Sequence, residues 1–156
     1  MERSKKIKII ITSVLLAFTL GFIWINSCFP QKVSGEESGS IYALCLPVLD
    51  FIFGKGVITH ALFRKLAHFS EFFLLGAEVN YLYFLVFGLK KEKLFERISI
   101  GLFVAVIDES IQILSDRVAA VVDLLIDYSG YLTATIVFFL VVLVIKLIKN
   151  RKTKTD

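Results

Sequence analysis

Three stretches of the chain place ionisable side chains at helical spacing inside apolar surroundings. Arg64, Lys65, His68 and Glu71 open one apolar run, and Arg64, His68 and Glu71 fall at i, i+4 and i+7, on one helix face. Asp108, Glu109 and Gln112 close a second run, followed by Arg117. Asp123 and Asp127 open a third, with Gly130 one turn further on. A histidine beside paired carboxylates can do general acid–base work, with His68, Glu71, Asp108 and Glu109 as the catalytic candidates. His68, Asp108, Glu109 and Asp127 can equally hold a divalent cation. Arg64, Lys65, Gln112, Arg117, Asp123 and Asp127 are the candidates for gripping a ligand. The competing reading is structural: His68 and Glu71 satisfy each other, Arg64 and Lys65 snorkel, and the carboxylates pair with Arg117 and Arg64. Glu71, Asp108, Glu109, Asp116, Asp123 and Asp127 outnumber the cations Arg64, Lys65 and Arg117, so the surplus must be protonated, solvated or neutralised. No P-loop, Gly-x-Ser-x-Gly, His-Glu-x-x-His or Cys-x-x-Cys motif occurs.

The elements that carry these residues are apolar enough to make lipid their solvent. The 156 residues are 56% hydrophobic and 21% charged, against roughly 45–50% and about 25% in ordinary soluble domains. The apolar residues come in runs close to the roughly 20 residues that a spanning helix needs. Four spans are expected, at about 7–25, 66–89, 98–114 and 121–148, with the last apolar stretch beginning near Val118. The expected fold is an all-α membrane protein with a single domain over residues 1–156. It is a four-helix transmembrane bundle with a partly helical or re-entrant outer segment between its first two helices. This composition excludes a secreted disulfide scaffold, a disordered tail and a soluble nucleic-acid binder.

Orientation follows from the basic residues. Thirteen of the 18 Lys and Arg residues lie at the N-terminus (Arg3 to Lys8), in the Lys90–Arg97 loop, or in the tail from Lys146 to Lys154. Four spans then put both termini and that loop in the cytoplasm. The N-terminal run reads as an uncleaved anchor, since Asn26 fits a lipoprotein cleavage site poorly. Between spans one and two, the Ser-, Gly- and Glu-rich Gln31–Ser40 reads as a loop. Ile41–Phe53 is too short to span and reads as interfacial or re-entrant, with Pro47 breaking any helix there. His60 and Trp24 read as interfacial residues, and a Cys28–Cys45 disulfide is compatible with this topology.

Depth decides whether the polar stripes can meet. At about 1.5 Å rise per residue, His68, Asp108, Gln112, Asp123 and Asp127 all lie within about two turns of the outer ends of their helices. One outward-opening polar site follows if the stripes face each other.

The set Arg64-Lys65-x-x-His68-x-x-Glu71, then Asp108-Glu109-x-x-Gln112, Arg117, Asp123, Asp127 and Gly130, resembles the VanZ-like family. These are small bacterial membrane proteins whose prototype accompanies glycopeptide-resistance clusters and lowers susceptibility to teicoplanin. The stretch DESIQILSDRVAAVVDLLIDYSG carries the most specific part of the likeness. Family members often have His where this chain has Ile111, and Gly where it has Asp116; the first departure removes a second histidine that a two-histidine mechanism would need. The resemblance implies a multi-pass protein of the bacterial cytoplasmic membrane. Its outward site would bind a lipid headgroup, a lipid-linked cell-wall precursor or a glycopeptide, without nucleic acid, and contribute to teicoplanin tolerance. The alternative is an intramembrane hydrolase or transferase acting on a lipid-linked phosphate or sugar.

Overall fold

The structure, a computed structural model, describes residues 3–117 and 120–152, except for the side chain of Lys152. The expected span start at Val118 and the tail residue Lys154 lie outside the described residues. Five α-helices follow one another: α1 (Arg3–Ser27), α2 (Gln31–Phe53), α3 (His60–Phe87), α4 (Leu94–Leu114) and α5 (Val121–Lys152), with a short 3₁₀ turn at Lys91–Lys93. The described residues are all-α, as expected. Three helices, α1, α3 and α5, are long and apolar enough to cross a membrane. α4 has 21 residues, about 30 Å of helix, but carries Glu96, Arg97, Asp108 and Glu109.

Pairing is set by glycines. α3 and α5 run parallel and make the closest contact. A Cβ on Gly130 would collide with the carbonyl oxygen of Phe69, and one on Gly76 would lie 2.8 Å from the Tyr131 carbonyl oxygen. Gly101 of α4 leaves room for the Tyr131 ring in the same way. Small residues at such crossings let helix backbones approach where the surrounding lipid is as apolar as the side chains. α1 runs antiparallel to α3: Thr19 Oγ1 donates to Glu78 Oε1 at 3.1 Å, and Ser27 at the end of α1 reaches Asp108 near the end of α4.

The apolar core is small: Ile23, Phe72, Leu75, Val79, Val104, Ala105 and Tyr131, with Trp24 packed against it. Polar residues are buried beside it, Asn80, Arg97, Asp108 and Asp127 all at 0% exposure. Large apolar residues face outward on every helix; Phe18 is 73% exposed and Phe103 72%. A chain that buries charges and displays phenylalanine has its outer surface matched to hydrocarbon rather than water.

The segment between the first two spans departs from expectation. Gln31–Ser40 is not a loop, and Pro47 does not end a helix: α2 is continuous across both. The hydroxyls of Ser38 and Ser40 are satisfied within the helix, on the carbonyls of Gly35 and Glu36, so they do not compete with it. Both Pro47 and Ala43, whose carbonyl loses its partner at the proline, lie on the exposed side. α2 docks on the start of α3. His60 Nε2 lies 3.0 Å from Ser38 Oγ, the Tyr42 ring packs on His60 and Phe63, and the Tyr42 hydroxyl donates to the Ile58 carbonyl at 2.7 Å. Thr59 caps α3 by accepting from the Leu62 amide. Cys28 and Cys45 are both free thiols, not a disulfide.

Candidate functional site

At the end of the molecule where α1 and α4 finish and α3 and α5 begin, the three polar stripes converge. One ligand-capable atom from each of His68, Asp108 and Asp127 lies within 4.8 Å of the other two. The three residues come from α3, α4 and α5. Their meeting follows from the helix register: Phe69 and Gly130 form the tight α3–α5 contact, which places the preceding turns, with His68 and Asp127, side by side.

The two aspartates are equally buried but differently served. Asp108 Oδ1 accepts from Ser27 Oγ at 2.5 Å and its Oδ2 accepts from Gln112 Nε2 at 2.8 Å. Asp127 has no hydrogen-bond partner on either oxygen among the described residues. Its nearest polar neighbour is His68, whose Nδ1 stands 3.5 Å from Asp127 Oδ1 and is itself without a hydrogen-bond partner. Glu109, 6% exposed, also leaves both carboxylate oxygens unpartnered. It lies within electrostatic range of Asp108, Asp123, Asp127 and His68.

Two cavities open onto this cluster. One of about 170 Å³ is lined by Arg64, Lys65, His68, Gln112, Arg117 and Asp123, among others. A larger one of about 620 Å³ runs between α2 and α3; Ser34, Glu37 and Ser38 form one wall and Arg64, His68 and Glu71 the other, with Arg117 at its edge. Arg64, His68 and Arg117 line both. The larger cavity falls in the roughly 300–1,000 Å³ range of small-molecule sites. Arg117 lies outside the helices. Burial and then the like charge of Arg64 hold it below the ordinary arginine range, partly offset by Asp108, Glu109 and Asp123. Two guanidiniums that repel each other across a cavity are matched to an anion placed between them.

All ten candidate residues named from the sequence thus gather at one end, either in the buried cluster or around its cavities. In the competing structural reading His68 and Glu71 satisfy each other; the carboxylate that His68 Nδ1 faces is instead Asp127, at 3.5 Å. His60, expected as a plain interfacial residue, joins α2 to α3. Arg97 is the residue the sequence reading misses. Counted there as a basic loop residue, it is fully buried at the opposite end. Its Nη2 donates to the Gly88 carbonyl at 2.8 Å, and its guanidinium lies over the rings of Tyr83 and Phe139, 5.4 and 5.6 Å from their centroids. The overlooked signal is register: Arg97, Gly101, Val104 and Asp108 form one helical stripe.

A family model described as VanZ/LLP1 matches residues 9–144. No curated protein and no solved structure matches the chain.

Proposed function

The chain belongs to the VanZ/LLP1 family, and from that premise we propose that it is a bacterial envelope protein whose polar pocket opens under the outer surface of the cytoplasmic membrane. The pocket binds the anionic headgroup of a membrane lipid, a lipid-linked cell-wall precursor or a glycopeptide, and thereby contributes to teicoplanin tolerance. The observation that carries this reading is the pair Arg64 and Arg117, which line both cavities above a floor of half-buried His68 and buried Asp108 and Asp127. Four passes are supported by the parallel pairing of α3 and α5. Two parallel spans require the chain to cross back between Gly88 and Val121, and α4 is the helix that does so. The basic residues at the end opposite the pocket support an outward pocket and cytoplasmic termini.

The test is expression in a susceptible bacterial host. Teicoplanin tolerance should rise with the native chain and fall back with Arg64→Ala or Arg117→Ala at equal membrane abundance. Unchanged susceptibility with the native chain correctly inserted would overturn the reading. A second reading, an intramembrane hydrolase or transferase acting on a lipid-linked phosphate or sugar, is favoured by the unpartnered His68–Asp127 pair. There His68 or Glu71 acts as base, Asp108 and Glu109 as acid or metal ligands, and Arg64 and Arg117 hold the headgroup. Turnover of labelled lipid phosphates by purified protein, abolished in Asp108→Ala, would establish it; untouched substrate would remove it.

A further inference from the structure

We propose that His68, Asp108 and Asp127 form a binding site for a single divalent transition-metal ion of the zinc or manganese class. Spacing is the first argument. His68 Nδ1 and Asp127 Oδ1 are 3.5 Å apart, longer than a good hydrogen bond. Two bonds of about 2.0–2.1 Å meeting at a tetrahedral angle place their donor atoms roughly 3.3–3.4 Å apart. The pair is therefore closer to the separation of two ligands of one ion than to that of a hydrogen-bonded couple. Asp108 supplies a third donor within 4.8 Å of both.

Compensation is the second argument. Asp127 is at 0% exposure with neither oxygen partnered. An uncompensated buried carboxylate is among the most expensive groups a fold can carry; a dication beside it removes that cost.

Bracing is the third. Ser27 and Gln112 each give one neutral hydrogen bond to Asp108. They hold its orientation while leaving lone pairs for an ion, as outer hydrogen bonds do around ligating carboxylates. One imidazole nitrogen with two carboxylate oxygens suits zinc, manganese or iron better than calcium or magnesium, which prefer all-oxygen sites. His68 lines both cavities, so coordination positions not taken by protein give onto the space between Arg64 and Arg117.

The proposal stands apart from the headgroup reading, because a metal is measurable on ligand-free protein and tolerance is measured in cells. Full-length protein in detergent, stripped with chelator and re-equilibrated with Zn²⁺ or Mn²⁺, should retain about one ion per chain by elemental analysis. Calorimetric titration should show saturable binding of the same metal. Ser27→Ala should weaken it by roughly 10–100-fold, the loss expected for an outer-sphere partner. Asp127→Asn and His68→Ala should weaken it further, and Glu92→Gln, on the exposed turn at the opposite end, should leave it unchanged. His68 is 26% exposed, so its alanine variant carries the test if Asp127→Asn does not fold, with monodispersity on gel filtration as the check. No retained ion, or equal retention in His68→Ala, overturns the proposal.

Discussion

Asp108 and Asp127 are the same residue type at the same burial, and they differ only in what touches them. Asp108 owes its two hydrogen bonds to Ser27 and Gln112, so Ser27→Ala, at a position 1% exposed, should cost about 1–3 kcal/mol, read as a lower thermal midpoint of metal-free protein. Asp116 makes a different prediction. It sits at φ 57°, just past α4, where the Ser115 and Arg117 amides both bond back to the Gln112 carbonyl. A left-handed residue at this position favours glycine, so Asp116→Gly should raise stability by about 0.5–1 kcal/mol in the same melt. The candidates that gather at the pocket end were legible from the sequence because an ionisable group at membrane depth is costly and helical spacing says which groups share a face. Which carboxylate His68 would face was not legible, since it depends on the rotation of α3 against α5. Arg97 was hidden for another reason: a basic residue near a span end reads as topology until its register is followed.

Where apolar runs were long the helices were legible, with ends up to six residues from the expected spans; they were not where composition and tertiary contact disagree. α2 illustrates the second case. Its Ser, Gly and Pro content argues against a helix, yet contacts of Ser38 and Tyr42 with the start of α3 hold it. Loss of those contacts should be felt locally: Tyr42→Phe removes the hydrogen bond to Ile58 and should speed proteolysis within residues 31–53 while leaving the global melt nearly unchanged. The α3–α5 seam behaves in the opposite way. Gly130→Ala puts a methyl group against the Phe69 carbonyl, and overpacking of this kind costs about 1–3 kcal/mol. Gly21→Ala, where an added Cβ meets nothing within 4 Å, should be neutral or slightly stabilising. If the two alanines melted alike, close approach of α3 and α5 would not be what Gly130 is for.

Across the whole molecule, charge and polarity are distributed end to end: the carboxylate-rich pocket at one end, most lysines and arginines at the other. This arrangement predicts labelling from a single side. Cys28 is exposed at the pocket end, so a membrane-impermeant maleimide added to whole cells should modify it. A cysteine placed at Lys91, in a variant lacking Cys28 and Cys45, should react only after permeabilisation. The reverse pattern would turn the pocket to the cytoplasm and remove it from contact with extracellular glycopeptide. On the proposed reading, ligand grip and admission fall on different stretches of chain. The His–Asp–Asp trio rides on rods locked together by glycine, whereas α2, with no residue sealed into the interior, walls the larger cavity and touches the smaller one through Gln31. Drift confined to residues 31–53 would therefore change which guest is let in while the trio stays as it is. Chimeras exchanging that one helix between relatives should swap ligand preference and keep metal binding at the trio.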